Sequence, residues 1–202
     1  MTITVDGEDY YVLVNAARAI KGVEGLSLEI GLRAGGGSCF IMETFLRNAD
    51  FGRTHIAVDP YGNIPYPLTE KQTKPFDYTT YMMKQAMIDV YSKFQGMDIN
   101  FLFFPLEDTE FFQAFSLGVP VYYASEKKKI NEYALVHFDG PHTTDAVMGA
   151  THFFEPRAVS GAQFVYDDIN YYYDHQVIHR YLENSGWEPV EETIYKASYR
   201  KN

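Results

Sequence analysis

The chain has 202 residues and a formal net charge of −10, with 46% hydrophobic and 22% charged residues. That length suffices for one domain with a full core and is short for two, and the composition is that of an ordinary globular chain rather than a disordered one. The acidic excess argues against a nucleic-acid partner, which needs clustered Lys and Arg, and the single cysteine, Cys39, excludes an internal disulfide and a cysteine-rich zinc site.

Residues 1–25 carry Asp6, Glu8 and Asp9 and no long apolar run, so no signal peptide is expected. No stretch approaches the roughly 20 apolar residues of a membrane helix. The expectation is a cytoplasmic protein, one domain over 1–202, with neither membrane nor nucleic acid as partner. Lys127-Lys128-Lys129 is expected as a solvated loop.

In chain order, Tyr10, Leu13, Val14, Ala17 and Ile20 recur near helical spacing and predict a helix over 9–21 in the N-terminal segment. A short buried strand follows at 26–30, then a glycine-rich turn and a helix over 39–47. A second strand, 55–58, ends at Asp59. Five residues of Gly and Pro type punctuate 59–77 (Pro60, Gly62, Pro65, Pro67, Pro75), which predicts a long loop of the kind that serves as a lid. A helix is expected over 78–94, a third strand over 99–104 and a short helix over 107–117, capped by Asp108 or Thr109. Residues 119–123 have no decisive pattern. A strand over 133–138 ends at Asp139, a helix covers 143–154, and a strand over 162–166 ends at Asp167-Asp168. The last helix, 174–184, closes on Gly186 as its C′ residue. Two short strands, 189–194 and 195–200, finish the chain as an antiparallel edge hairpin.

Apolar strands alternating with helices predict an α/β, Rossmann-like, doubly wound and mostly parallel sheet of about seven strands, covered on both faces. Ligands bind such sheets outside the carboxyl ends of the strands. Those ends carry Glu29-Ile30-Gly31 with Gly35-Gly36-Gly37-Ser38, then Asp59, then Asp139-Gly140-Pro141-His142, then Asp167-Asp168. A carboxylate at the end of a buried strand is costly unless a ligand, metal or cation meets it. Glycines after the first strand let backbone approach a ligand closely, and the next helix offers free N–H groups. The run is not G-x-G-x-x-G, but Asp59 closes the second strand, where dinucleotide folds place the acid that meets a ribose diol.

Leu28-Glu29-Ile30-Gly31 with Gly36-Gly37-Ser38, Ala57-Val58-Asp59-Pro60-Tyr61-Gly62, Phe138-Asp139-Gly140-Pro141-His142 and Val165-Tyr166-Asp167-Asp168 resemble class I S-adenosylmethionine-dependent methyltransferases, in particular the macrocin and mycinose-type sugar O-methyltransferases. The resemblance runs from about Leu26 to Trp187. It implies that Glu29, Gly31 and the turn Gly35-Gly36-Gly37-Ser38 cradle the methionine part of the cofactor, that Asp59 binds the ribose and that Asp108 lines the adenine side. It also implies that Asp139, Asp167 and Asp168 hold a magnesium ion and that His142 is the general base. Pro141 departs from the family's Asp-Gly-Asp-His order and removes one acid.

The chemistry is coherent. Oxygen donors without Cys suit Mg²⁺, a bound cation makes a hydroxyl more acidic, and a neutral imidazole takes its proton near neutral pH. The expected activity is O-methylation of a small hydroxylated acceptor, a sugar among the candidates. Two rivals stand beside it: a metal-dependent hydroxylase or hydrolase on the same fold, and a non-catalytic fold-mate. Other residues have plainer readings. His137 is a satisfied core histidine, His175 and His179 share a packed or solvated helix face, and Cys39 is a small core residue. Trp187 anchors the last helix. Tyr171-Tyr172-Tyr173 are open between a substrate wall and packing or a homo-oligomer contact.

Overall fold

The computed structural model describes residues 7–62, 66–69, 72–74, 78–123, 126–170 and 172–202. The elements in order are α1 (Tyr10–Ala19), β1 (Leu26–Ile30), α2 (Gly36–Arg47), β2 (Arg53–Val58), β3 (Tyr66–Thr69), β4 (Gln72–Lys74), α3 (Thr80–Phe94), β5 (Ile99–Phe104), α4 (Asp108–Ala114), β6 (Val119–Tyr123), β7 (Glu126–Ile130), β8 (Tyr133–Phe138), α5 (Thr144–Phe154), β9 (Ala158–Tyr166), α6 (His175–Asn184), β10 (Trp187–Glu192) and β11 (Ala197–Lys201). Seven strands form one sheet in the order β10-β11-β9-β8-β1-β2-β5. The five strands from β9 to β5 are parallel, and β11 enters antiparallel beside β9. The chain leaves β1 towards β2 and β5, then crosses to β8 on the other side of β1. That reversal puts the ligand crevice at the carboxyl ends of β1 and β8.

Strand alternation sends two different sets of side chains to the two faces. Leu28, Ile30, Ile56, Val58, Val136, Phe138, Phe164 and Tyr166 belong to one large core with Phe111, Phe154, Ile178 and Leu182 from α4, α5 and α6. The opposite face packs under α1, α2 and α3 through Val12, Leu13, Phe45, Leu135, Val165, Met42 and Val90. That second face also buries Ser27, Glu29, His55 and His137, all at 1% exposure or less.

Several elements depart from the sequence reading. Helix α2 starts at Gly36, not 39, so glycines form its first turn. The undecided stretch is β6, paired antiparallel with β7, so the lysine triad lies on an exposed strand of a two-stranded hairpin and not in a loop. The 59–77 stretch contains the short pair β3–β4; residues 63–65, 70–71 and 75–77 of the expected lid lie outside the described residues. Helix α4 is shorter than expected, and its cap is Glu107, whose N–H donates to Glu110 Oε2 at 3.1 Å, not Asp108 or Thr109. The final hairpin is separated by a built turn: Thr193 N–H donates to Lys196 O at 2.8 Å, and Thr193 Oγ1 accepts from the amides of Tyr195 and Lys196. Gly186 follows α6 at φ 84°, as its C′ position requires. Trp187 lies on β10, with its ring 4.1 Å from that of Phe164.

Arg53 fastens the end of α1 to the amino edge of the sheet, at the opposite end of the strands from the crevice. Its guanidinium donates to Asp50 at 2.8 Å and to the carbonyls of Ile20, Val23 and Gly25 at 3.1, 2.9 and 3.3 Å, 5.1 Å from the Phe45 ring centre. Arg53→Met removes every one of these donors from a buried position. We expect it to lower unfolding free energy by about 3 kcal/mol in urea titration. Arg53→Lys is expected to recover little, because one ammonium cannot reach three separated carbonyls.

Candidate active site

A cleft of about 550 Å³ opens over the strand ends. Its lining follows the sheet: Glu107 and Asp108 beyond β5, Asp59 and Tyr61 beyond β2, and Gly31, Arg33, Gly36 and Gly37 beyond β1. Asp139 to His142 follow beyond β8, then Asp167, Asp168 and Tyr172 beyond β9, with Tyr195 from the final hairpin. The volume lies within the range of small-molecule and cofactor sites.

The first turn is shaped by close backbone approach. Gly31 has φ 86°, and a Cβ there would stand 1.9 Å from the Asp139 carbonyl oxygen. The amides of Gly31 and Asp139 continue the ladder, donating to Val58 O at 2.9 Å and Ile30 O at 3.0 Å. Asp59 then ties the turn down. One of its carboxylate oxygens accepts from the amides of Leu32 and Arg33 at 3.0 and 2.9 Å, and the other from the amide of Tyr61 at 3.0 Å. The Tyr61 hydroxyl donates to the Arg33 carbonyl. Asp59 lines the cleft, but three of its acceptor positions already serve the loop. Burial raises its carboxyl above the ordinary range, against the lowering effect of those amides.

Under the turn runs a buried chain of polar side chains. Ser27 Oγ meets His55 Nδ1 at 2.9 Å, and His55 Nε2 meets Ser38 Oγ at 2.8 Å. Ser38 Oγ donates to one oxygen of Glu29, and His137 Nδ1 meets the other at 2.8 Å. Glu29 and His137 face each other directly across β1 and β8. Burial pushes the His55 imidazole down to about 3, so the ring is neutral. A neutral ring has one N–H; because Ser38 donates to Glu29, Ser38 accepts that N–H from Nε2, which leaves Nδ1 as an acceptor facing Ser27, whose hydroxyl also has the Thr54 carbonyl within reach at 3.3 Å. Ligand atoms of Glu29, His137 and Asp139 all lie within 4.8 Å of one another, so the end of β8 stands beside this chain.

There the carboxylates gather. Asp139 hydrogen-bonds Asp167, and Asp167 forms an ion pair with the fully buried Lys196. Asp167 Oδ1 also accepts the Asp168 amide at 2.9 Å. Desolvation, then the charge of Asp167, holds Asp139 well above the carboxylate range and pushes Asp168 up to about 6. For Asp167 burial is the largest effect and raises the carboxyl, but Lys196, His137 and Asp139 together outweigh it, so the carboxyl is lowered. His142 Nε2 stands 4.0 Å from Asp139 Oδ1 and 3.7 Å from Asp168 Oδ2, too far for a direct hydrogen bond. Both of its ring nitrogens are buried without a partner, and burial pushes the imidazole down to about 4. The rings of Tyr172 and Tyr173 flank it at 5.5 and 6.4 Å.

Of the sequence candidates, Glu29, Gly31, Gly36, Gly37, Asp59, Asp108, Asp139, His142, Asp167 and Asp168 all line this one cleft. Gly35 at φ 86° is the N-cap of α2, and Ser38 lies beneath as the donor to Glu29. Asp108 is half-buried, and its carboxylate accepts the Thr109 amide. Sequence reasoning missed Lys196 and His55 and gave His137 only a packing role. His137 shows as a polar residue in a strand of apolar neighbours; His55, which follows Arg53 and Thr54, stands out less, and Lys196 leaves no local signal. His175 and His179 bracket the Tyr199 hydroxyl at 3.1 and 3.0 Å, a packed face as expected. Cys39 is buried with its thiol pushed up to about 12, an inert core position. Tyr172 is a cleft wall and Tyr173 a packing residue that donates to Asp167 O at 3.0 Å; Tyr171 lies outside the described residues.

No family model matches the chain, and no curated protein sequence matches it. Solved structures do. The O-methyltransferase NovP superposes with a TM-score of 0.62 at 15% identity, over 96% of this chain and 79% of that one. The calicheamicin methyltransferase CalS11 gives 0.62 at 12%, over 95% and 78%. The O-methyltransferase TomG from Streptomyces achromogenes, solved with SAM, gives 0.59 at 11%, over 99% and 82%. The fold is the Rossmann-like fold of the S-adenosylmethionine-dependent O-methyltransferases.

A neutral buried histidine leaves a signature in stability. The folded-state pKa of His55 lies below its unfolded value of about 6.5, so its contribution is complete above that pH and is lost as pH falls towards 3. We expect roughly 1.4 kcal/mol of lost stability per pH unit from this residue between about pH 6.5 and 4.5. Urea titrations of wild type and His55→Asn across that range should differ in slope by this amount, the variant being flatter.

Proposed function

We propose that the chain is an S-adenosylmethionine-dependent O-methyltransferase acting on a small hydroxylated acceptor, with magnesium assistance and with sugars as the favoured acceptor class. The observation that carries this reading is the order of groups along the cleft. Half-buried Asp108 at the β5 end suits adenine, Asp59 suits the ribose diol, Glu29 and the glycine turn suit the amino-acid end, and the Asp139–His142–Asp168 cluster follows where the methyl group would point. Charge supports the same cofactor. Among the described residues, eight in the lining are acidic, Glu8, Glu29, Asp59, Glu107, Asp108, Asp139, Asp167 and Asp168, against one cation, Arg33. As a cofactor site, such a cleft favours a sulfonium over the pyrophosphate of a dinucleotide. The likeness to a structure described as a TDP-rhamnose 3'-O-methyltransferase supports a sugar acceptor, as do the Tyr172 and Tyr195 side chains on the acceptor side.

The residues fit a hard divalent ion. Asp139 and Asp168 offer two carboxylates across a gap that a buried, unpartnered imidazole also faces. Magnesium is commonly held by one or two carboxylates plus waters and substrate, so these two suffice. Asp167 is committed to Lys196 and the Asp168 amide and is the least available of the three expected ligands. When bound, the cation would lower the pKa of an acceptor hydroxyl. The cofactor would supply an electrophilic methyl group on its sulfonium.

The chain's own residues do the rest. Ser38 and His137 hold the Glu29 carboxylate at the amino-acid end, and the spare acceptor position on Asp59 is left for a ribose hydroxyl. His142 is neutral well below pH 7 and accepts the acceptor's proton at Nε2. Tyr172 and Tyr173 shield that ring from water. Alignment of hydroxyl, methyl and sulfonium by these fixed groups supplies much of the rate.

Calorimetry with S-adenosylhomocysteine should give micromolar binding to the purified chain; no binding would overturn the methyltransferase reading. His142→Asn should bind the same ligand within about threefold of wild type and lose on the order of 10²–10⁴ in turnover of a methyl-accepting sugar substrate. Asp139→Ala should lose metal-dependent turnover with cofactor binding nearly unchanged. Unchanged turnover in that variant would remove the metal from the mechanism.

A further inference from the structure

Lys196 is the fully buried cation against the carboxylate cluster, and it arrives there from an element remote in sequence. The turn that carries it is fastened by Thr193, whose Oγ1 accepts from the Lys196 amide at 2.9 Å and whose N–H donates to the Lys196 carbonyl at 2.8 Å. The Tyr10 ring stands with its centre 5.2 Å from Nζ, so an aromatic ring lies behind the ammonium and a carboxylate in front of it. Nζ donates to Asp167 Oδ1, the oxygen that also accepts from the Asp168 amide. Asp139 hydrogen-bonds the same carboxyl group.

We propose that Lys196 is a resident cation of the site, and that it withdraws Asp167 from the carboxylates open to a divalent ion. This rests on the metal part of the proposed function. Asp139, Asp167 and Asp168 carry three negative charges when ionised. One ammonium and one divalent ion balance them, whereas a divalent ion alone would leave one carboxylate buried at 7% exposure without a counter-charge. Lys196 therefore does permanently, from inside the protein, what a third metal–carboxylate contact would otherwise do. The division leaves the exchangeable ion on the cleft side, between Asp139, Asp168 and His142, where an acceptor hydroxyl can reach it.

The test is Mn²⁺ binding to the full chain without cofactor or acceptor, read from the EPR signal of the free ion. Lys196→Met frees Asp167 and should tighten Mn²⁺ binding by about tenfold or more. Asp167→Asn leaves the ammonium uncompensated beside Asp139 and should weaken it by a similar factor. The double variant Lys196→Met/Asp167→Asn removes the pair as a unit and should return to within a few-fold of wild type. A double variant that binds tenfold or more weakly than wild type would make Asp167 a ligand and overturn the proposal, as would unchanged binding in folded Lys196→Met. If Lys196→Met does not fold, the double variant, which leaves no unpaired buried charge, decides alone. Mn²⁺ binding by Lys196→Met but not by wild type would remove magnesium from the proposed function and leave the resident cation standing; binding by no variant would remove both.

Discussion

Glu29 can be buried only because both of its carboxylate oxygens are hydrogen-bonded, one by Ser38 and the other by His137. An unpaired carboxylate at 1% exposure would cost several kcal/mol even after relaxation. The two partners come from different elements, so satisfying one charge fixes α2 against β1 and β1 against β8. The same carboxylate sets the residue above it. A Cβ at position 37 would stand 1.9 Å from Glu29 Oε1, so the first turn of α2 has to contain glycine there. The His55 imidazole and Ser27 then complete the donor chain behind Ser38. Cradle, helix start and strand pairing are consequences of one buried charge.

Charge also bears on the proposed cofactor. A helix N-terminus with glycines ordinarily attracts anions, and α2 offers its first amides to the cleft at Gly36 and Gly37. The surrounding carboxylates oppose that attraction everywhere else. A ligand with one small anionic group and a cationic remainder satisfies both fields, whereas a pyrophosphate satisfies only the first. The zwitterionic methionine end of the proposed cofactor, with its sulfonium, has this distribution.

Much of this was legible in the sequence because strand ends are local features. Gly31, Asp59, Asp139 and Asp167-Asp168 each follow a short apolar run, and the alternation that predicts the runs also predicts that their ends converge. The start of α2 was misplaced because glycine is a poor helix former, and its low propensity was overridden by the need for close approach to Glu29. The β6–β7 hairpin escaped because its second strand is exposed and lysine-rich, opposite to the usual strand composition. Pairings were the least legible. Glu29 and His137 are 108 residues apart, and Lys196 meets Asp167 from a turn 29 residues on. Nothing in either local segment announces the partner. The position of Asp59 predicts a ligand role, yet most of its acceptor capacity serves the turn; position at a strand end identifies a carboxylate with a task but does not separate holding the loop from holding the ligand.

Backbone strain places the site independently of charge. Among the described residues, five other than glycine have positive φ, and three of them, Arg33, Tyr61 and Asp168, line the cleft at φ 45°, 50° and 51°. Each such conformation costs on the order of 1–3 kcal/mol and persists only where surrounding bonds overdetermine it. Here they do. Asp59 accepts the amides of Arg33 and Tyr61, Tyr61 returns a hydrogen bond to the Arg33 carbonyl, and Asp167 accepts the amide of Asp168. The strain therefore sits at three separate strand ends and is held by carboxylates that are themselves buried and hard to move. A cleft built this way is rigid before any ligand arrives. That is the condition under which aligning two reactants, rather than supplying reactive groups, can account for most of the rate of a methyl transfer.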